Sequence, residues 1–202
     1  MLEYYMFHKP RGCISARRDE RHKTVMDYFP EDKRDTLFHV GRLDKDTEGF
    51  LIITNDGKLC YDLMKPEKEV PKTYFFWVQG ILSEKSIKEL EGGVSIFSNS
   101  EAETAPAKIT VEDTATLRDI KYLLCGSDTR VSNRRGHLPV TSGYITITEG
   151  KKHQVKRMLR YAGCRVIYLK RLKIGNVELD PTLDVGEYRP ITEHELKILM
   201  SY

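Results

Sequence analysis

The sequence predicts an α+β fold built on a mainly antiparallel mixed sheet. Two observations support this prediction: short runs of β-branched and aromatic residues recur along the chain, and the few helical patterns do not alternate regularly with them. With 202 residues, of which 40% are hydrophobic, the chain is long enough for one core or two closely packed subdomains. No internal repeat or low-complexity tract departs from this globular pattern.

Strands are predicted where apolar and aromatic residues form short runs. Four such runs occur in the first half of the chain, at residues 4–8, 37–40, 50–53 and 72–78. In the last run, period-two alternation places Tyr74, Phe76 and Val78 on one face of the sheet. Packing in the core is the common role of an aromatic residue at such a position.

Helices are predicted where apolar residues recur at helical spacing. The four segments with this pattern are residues 58–64, 84–91, 153–161 and 193–200. In the third, Val155, Met158 and Leu159 form a buried stripe, and Gly163 ends the helix. Lys156 lies about a quarter turn from the centre of that stripe, at the edge of the core. A lysine there can simply extend its ammonium group to water.

The segment from residue 41 to 57 presents one acidic side chain, Asp44, on a turn between two apolar runs. Loops on a rigid scaffold carry much of the chemistry of proteins. An aspartate in a turn also commonly binds nearby backbone amides through its carboxylate. The turn alone therefore leaves both a structural and a chemical role open for Asp44.

Basic residues are clustered although the net charge is only +3. Nine Lys or Arg and no Asp or Glu lie between Lys151 and Lys173, interleaved with Tyr161 and Tyr168. Two further clusters are formed by Arg130, Arg134, Arg135 and His137 and by Lys9, Arg11, Arg17, Arg18, Arg21 and Lys23. A charge run is often only a solvated face, but basic patches also neutralise phosphates. RNA fits this pattern better than a small neutral substrate.

Several classes of protein are disfavoured by the sequence. No Gly-x-Gly-x-x-Gly or Gly-x4-Gly-Lys-Ser/Thr loop is present to hold a dinucleotide or nucleotide cofactor. The four cysteines, Cys13, Cys60, Cys125 and Cys164, lack the paired spacing of a zinc or redox site. The amino terminus has no long apolar region, and no run approaches a membrane span. We expect a cytoplasmic protein with no membrane partner, no metal and no other cofactor.

Segments spread over nearly the whole chain resemble the pseudouridine synthases, specifically the RsuA-type branch that modifies bacterial ribosomal RNA. The strongest is the signature GRLDKDTEG at residues 41–49. Three further motifs are FHKPRG at residues 7–12, VPKTY at residues 70–74 and TEGKKHQVKRM at residues 148–158. Residues 172–180 and 186–191 also resemble the branch. Many members of the branch carry a small RNA-binding domain before the catalytic domain, whereas here the first predicted strand begins almost at residue 1. We expect RNA selection to rest on the patches of the catalytic domain or on protein partners.

The resemblance implies a single catalytic domain with two sheet-containing halves, near residues 1–64 and 65–202, flanking a basic active-site cleft. It implies isomerisation of a uridine, whose base is detached, rotated and reattached through carbon. Asp44 would be the catalytic nucleophile or the base, with Lys156 as its partner. Tyr74 would stack on the target base and could transfer a proton in a later step.

The resemblance and the basic clusters together suggest the residues that contact RNA. They are Lys9, Arg11, Arg42, Lys72, Arg130, Arg134, Arg135, Lys151, Lys152, His153, Gln154 and Arg157. Arg42 would fill the space left by the flipped base, contact a phosphate or form a local ion pair. Arg130, Arg134 and Arg135 are candidates for choosing the target. The expected partner is ribosomal RNA or an assembling ribosomal subunit, and the expected state is a monomer.

Two alternatives to the isomerase remain: a ribosome-assembly factor that has lost catalysis, and a plain basic RNA-binding module.

Overall fold

The computed structural model describes residues 1–97, 103–120 and 136–202. Arg130, Arg134 and Arg135, the candidates for target choice, lie outside the described residues, as does Cys125. Among the described residues, nine strands form a mixed sheet in which most of the paired strands are antiparallel. The predicted α+β class is therefore confirmed.

The regular elements of the described residues are numbered along the chain. The strands are β1 (Tyr4–Lys9), β2 (Phe38–Val40), β3 (Glu48–Thr54), β4 (Lys72–Gln79), β5 (Lys108–Thr116), β6 (Pro139–Ile147), β7 (Arg165–Ile174), β8 (Val177–Glu178) and β9 (Tyr188–Pro190). The helices are α1 (Glu31–Arg34), α2 (Gly57–Met64), α3 (Glu84–Gly92), α4 (Leu117–Ile120), α5 (Gln154–Tyr161) and α6 (Glu193–Leu199). All four predicted helices occur. None of the helices in the described part of the chain combines the length and apolar character of a membrane span.

The chain divides into two compact units. The first unit contains Met1–Lys72 and Lys170–Tyr202, and the second contains Thr73–Leu169. The expected halves, near residues 1–64 and 65–202, stay a prediction. Within the first unit, β3 pairs in parallel with β7, with Glu48 opposite Lys170.

In the first unit the strand order is β7, β3, β1, β9, with β2 paired to β3 and β8 to β7. Strand β1 runs antiparallel to β3 from Tyr4 opposite Thr54 to Lys9 opposite Gly49. Every residue of β3 after Glu48 is buried. The core also includes residues of the carboxyl-terminal segment, namely Ile174, Val177, Leu179, Ile191 and Leu199. Strand β3 is therefore a rigid support for the loop that precedes it.

In the second unit the strand order is β5, β6, β4, β7. Strands β5 and β6 are antiparallel, with an irregularity between Val111 and Asp113. Helix α5 buries Val155, Met158 and Leu159, as its spacing predicts. The helix ends before Gly163, which has a φ of +78° and whose N–H donates to the carbonyl of Arg160 at 2.9 Å.

Candidate active site

Asp44 lies on the loop between β2 and β3, which we call the aspartate loop (residues 41–47). Asp44 itself is partly buried. The turn is closed by a backbone hydrogen bond from Thr47 N–H to the carbonyl of Asp44, at 3.1 Å. The backbone carbonyl of Asp44 thus closes the turn that carries its side chain.

A glycine stands on each side of this turn. Gly41 has a φ of +65°, and a Cβ there would lie 2.7 Å from the sulfur of Met64. Gly49 has a φ of +113°, and a Cβ there would lie 2.2 Å from the backbone oxygen of Arg171. Both positions therefore need glycine, the first mainly for its conformation and the second also for the close approach of β7.

Lys9 supports the aspartate loop from inside the first unit. Its side chain is fully buried. The ammonium group donates to the carbonyls of Pro10, Asp44 and Thr47 at 3.0, 3.1 and 2.9 Å. These bonds show that Lys9 shapes the loop that carries Asp44. The expected contact of Lys9 with RNA stays a prediction.

The segment after β1 holds the aspartate loop through two further contacts. The hydroxyl of Ser15 donates to the carbonyl of Leu43 at 2.9 Å and accepts from the N–H of Leu43 at 3.0 Å. The N–H of Gly12 donates to the carbonyl of Lys45 at 2.7 Å. These contacts were missed by the sequence analysis, because a serine in a polar loop carries no distinctive pattern.

A charged cluster lies where the aspartate loop enters β3. One carboxylate oxygen of Glu48 is 3.1 Å from Nε2 of His8 and 3.2 Å from Nζ of Lys170. Nδ1 of His8 donates to the carbonyl of Leu183 at 2.8 Å. These contacts join β1, β3 and the end of β7 beside the aspartate loop, and they were also missed.

Positive charge gathers at the other end of the aspartate loop. Arg42 is exposed. The ring of His39 donates from Nδ1 to the carbonyl of Gly41 at 2.7 Å. Burial, and then the charges of Arg42 and Arg17, lower the pKa of His39. Arg17 and Arg42 are therefore close enough to the same imidazole to act on its charge.

Lys72 is buried at the start of β4, where the first segment of the first unit ends. Its ammonium group donates to the carbonyl of Val70 at 2.9 Å. Burial, and then the charge of Arg171, lower the pKa of Lys72 to about 8. The ammonium group of Lys72 is thus directed to a backbone carbonyl inside the unit, and the expected contact of Lys72 with RNA stays a prediction.

Tyr74 lies in the second unit, on β4. Its neighbours on the same face, Phe76 and Val78, are completely buried, and Tyr74 is 8% exposed. The predicted alternation along this strand is therefore confirmed. A buried strand position fixes the ring firmly, which suits both packing and a stacking surface.

Lys156 also lies in the second unit, partly exposed beside the buried stripe of α5. Its position at the edge of the core agrees with the helical spacing. The residues before it differ in their surroundings: Lys152 and His153 are exposed, whereas Gln154 is buried.

Three other predicted RNA contacts of the second unit have internal partners. Gln154 donates to Glu149 at 2.6 Å and accepts from the N–H of Lys151 at 2.9 Å. Lys151 pairs with Glu149 at 3.1 Å. Arg157 lies over the ring of Phe97, with its guanidinium carbon 4.4 Å from the ring centroid. The amide of Gln154 is buried and stabilises the turn before α5, and its expected contact with RNA stays a prediction.

The predicted catalytic residues thus belong to both units, with Asp44 in the first and Tyr74 and Lys156 in the second. Arg11 and Arg42 lie with Asp44 in the first unit. Within the described ranges, no group of three or more His, Cys, Asp or Glu is arranged to hold a metal ion.

Comparison with known proteins identifies the family. The RNA pseudouridylate synthase family matches residues 3–161. The uncharacterized RNA pseudouridine synthase YtzG of Bacillus subtilis is 44% identical, over 97% of this chain and 72% of the relative. The ribosomal small subunit pseudouridine synthase A of Pseudomonas aeruginosa is 33% identical, over 96% of this chain and 72% of the relative.

A second Bacillus subtilis relative and a solved structure agree with this result. The ribosomal large subunit pseudouridine synthase B is 33% identical, over 97% of this chain and 70% of the relative. A crystal structure of a pseudouridylate synthase superposes with a TM-score of 0.80 at 30% identity, covering 98% of this chain and 74% of that chain. The chain therefore belongs to the RNA pseudouridylate synthase family and is an RNA pseudouridine synthase, an isomerase.

Proposed function

We propose that this chain converts one specific uridine of ribosomal RNA to pseudouridine and that Asp44 begins the reaction. The observation that carries the proposal is the construction of the aspartate loop. Asp44 follows Leu43, whose backbone is held by Ser15, and its own carbonyl is held by the buried Lys9. A reacting carboxylate must be held in one geometry, and these contacts serve that requirement.

The reaction breaks the bond between N1 of the base and C1′ of the ribose and makes a bond from C5 of the same base to C1′. The proton on C5 leaves and N1 gains one, so no redox cofactor is needed. Asp44 must be ionised for either of its two possible roles. It could attack C1′ as a nucleophile or remove a ribose proton as a base.

The resemblance of the chain to the family adds Lys156 and Tyr74 to the proposed catalytic set. An ammonium group near Asp44 would favour the ionised carboxylate and orient it. Tyr74 would stack on the base while it turns, because stacking holds the ring without hydrogen bonds that fix one orientation. Its hydroxyl is the candidate for the later proton transfer from C5.

Ribosomal RNA is the proposed substrate because two relatives of equal identity are named for ribosomal subunits, one small and one large. The target base must leave its stack or already be unpaired before Asp44 can reach the ribose. Exposed Arg42, two residues before Asp44, would fill the space left by the base. We propose that the protein acts as a monomer in the cytoplasm, where it meets the ribosomal RNA.

The test is a chemical map of pseudouridines in the RNA of both ribosomal subunits. Cells lacking the gene are compared with the same cells rescued by the wild-type chain or by Asp44→Asn. We expect one site to disappear and only the wild-type chain to restore it. An unchanged map contradicts the proposal. Full rescue of ribosome assembly by Asp44→Asn, together with an unchanged map, indicates an assembly factor that does not catalyse.

A further inference from the structure

The segment after β1 is a compact basic element, which we call the basic arm (residues 10–24). It contains five Lys or Arg and two Asp or Glu. Among the basic residues, Arg17, Arg18, Arg21 and Lys23 are exposed. Exposure alone describes any solvated charged face, so the argument depends on how the arm is built and on what it contacts.

The arm has a defined internal structure. Its two ends pair through hydrogen bonds from Ile14 N–H to the carbonyl of Lys23 and from Val25 N–H to the carbonyl of Ile14, both 2.9 Å. At its tip, the carboxylate of Asp19 accepts the N–H groups of Arg21 and His22 at 2.8 and 2.7 Å. The carboxylate of Asp19 is thus used to form the turn, and the exposed Arg18 pairs with the carboxylate of Asp35.

The arm is joined directly to the aspartate loop. Gly12 bonds to Lys45, and Ser15 makes two bonds to Leu43, as described above. The Ser15 hydroxyl thus bonds to both the N–H and the carbonyl of Leu43, the residue before Asp44. Consequently, a movement of the arm relative to the loop must break these bonds or move the backbone next to Asp44.

The exposed charges of the arm also extend toward Arg42. Arg17 and Arg42 both act electrostatically on His39, which bonds to Gly41 at the start of the aspartate loop. Arg17 additionally donates to the carbonyl of Asp35 at 2.5 Å. Lys23 lies over the ring of Tyr28, 3.8 Å from its centroid. Arg17 of the arm and Arg42 of the aspartate loop therefore both influence the imidazole that bonds to Gly41.

We propose that the basic arm binds backbone phosphates of the RNA strand that flanks the target uridine, and that Ser15 is a positioning residue linking the bound strand to the aspartate loop. This inference rests on the proposed function and adds a second RNA-contact element to it. Phosphate contacts set the register of a nucleic acid without reading its sequence. Register matters here because the flipped uridine must meet a carboxylate that is held in place.

The first experiment measures RNA binding. The variant Arg17→Gln, Arg21→Gln, Lys23→Gln is compared with the matched variant Lys58→Gln, Lys68→Gln, Lys197→Gln, which removes three exposed charges elsewhere in the first unit. Both are titrated with ribosomal RNA fragments at several salt concentrations. We expect the arm variant alone to bind more weakly, and its negative slope of log K against log salt to become shallower by about 2. Equal affinities and slopes for the two variants would overturn the proposal.

The second experiment tests the link through Ser15. We expect Ser15→Ala to lower kcat by about tenfold, since small displacements of a reacting group are costly, while Kd for RNA stays at the wild-type value. Ser15→Thr keeps the hydroxyl and is expected to retain most of kcat. The link is refuted if Ser15→Ala keeps its kcat, or if both variants lose kcat equally while their thermal unfolding is unchanged.

Failure of the inference can be told apart from failure of the proposed function. If the wild-type chain forms no pseudouridine in any ribosomal RNA, the proposed substrate is wrong. The comparison of Kd between the arm variant and its matched control still reports on the arm in that case. If the wild-type chain is active and the two variants bind equally, the arm proposal fails while the proposed function stands.

Discussion

Lys9 illustrates how a single buried side chain can set the shape of a functional loop. Its three donors satisfy three carbonyls, two of them in the aspartate loop. Lys9→Met keeps the length of the side chain but leaves those carbonyls without this donor. We expect a loss of at least about 3 kcal/mol in the free energy of unfolding, since three carbonyls lose their donor and each unsatisfied buried group costs about 1–3 kcal/mol.

Urea denaturation measures this loss, and Lys68→Met at an exposed position is the control. We also expect Lys9→Met to reduce turnover, because the backbone of Asp44 is no longer held. A variant as stable and as active as the wild-type chain would show that the three bonds are dispensable.

Lys156 is predicted to act on the chemistry more than on binding. Lys156→Met is expected to bind RNA within a few fold of wild type and to lose turnover by about 100-fold, as for the removal of one preorganised electrostatic group. The exposed Lys152, on the approach to the same helix, provides the contrast. Lys152→Met is expected to weaken binding without a comparable loss of kcat. Equal losses of binding and turnover in Lys156→Met would contradict the assigned role.

The lowered pKa of Lys72 predicts that the stability of the protein depends on pH. Its pKa is lowered to about 8 in the folded protein, first by burial and then by Arg171. Between about pH 8 and 10.5 the unfolded chain binds the proton that the folded chain has released, so this group makes the protein more stable as pH rises. Relative to Lys72→Met, the wild-type free energy of unfolding should rise by up to about 3 kcal/mol across that window.

Urea unfolding of both proteins at pH 7.5 and 9.5 tests this, because other titrations cancel in the difference. A difference in stability that does not change with pH would mean that Lys72 keeps its proton in the folded state.

At the scale of elements, the position of the aspartate loop depends on the residues where it joins the neighbouring strands. Gly49 begins the buried part of β3 and packs against the backbone of Arg171. Gly49→Ala would force a Cβ into that backbone at a φ of +113°, and we expect it to cost about 3 kcal/mol or more, from strain and from displacement of β7.

Gly57→Ala is the matched control for Gly49→Ala. Gly57 begins α2, and a Cβ there would meet nothing within 4 Å. The control is therefore expected to be neutral or stabilising by up to about 1 kcal/mol. Thermal unfolding of both variants checks the pair, and equal effects would show that the close approach of β3 and β7 is unimportant.

At the scale of the whole molecule, the carboxyl-terminal segment completes the core of the first unit. Leu199 on α6 is fully buried and belongs to the same cluster as Phe50 and Ile52 of β3. Leu199→Ala is expected to destabilise the protein by about 2–5 kcal/mol. His194→Ala on the exposed face of α6 should change stability by less than about 0.5 kcal/mol.

Equilibrium unfolding in urea measures both variants. If Leu199→Ala were as mild as His194→Ala, the carboxyl-terminal segment would not be an integral part of that core.

The local features of this protein were determined by the sequence alone. The spacing of Val155, Met158 and Leu159 predicted α5 and the edge position of Lys156, because helical periodicity is a property of neighbouring residues. The signature around Asp44 predicted a functional turn and the family. The alternation from Tyr74 to Val78 predicted the buried face of β4.

Tertiary structure decided which charged and polar groups are inside. Lys9, Lys72 and Gln154 were predicted to contact RNA from the family resemblance and the basic clusters, and the fold buries each of them with a backbone or side-chain partner. Burial depends on elements distant in sequence, as in the bond from Ser15 to Leu43 and the parallel pairing of β3 with β7. A local pattern reports which side of an element a residue occupies, but only the packing of distant segments determines whether that side meets water.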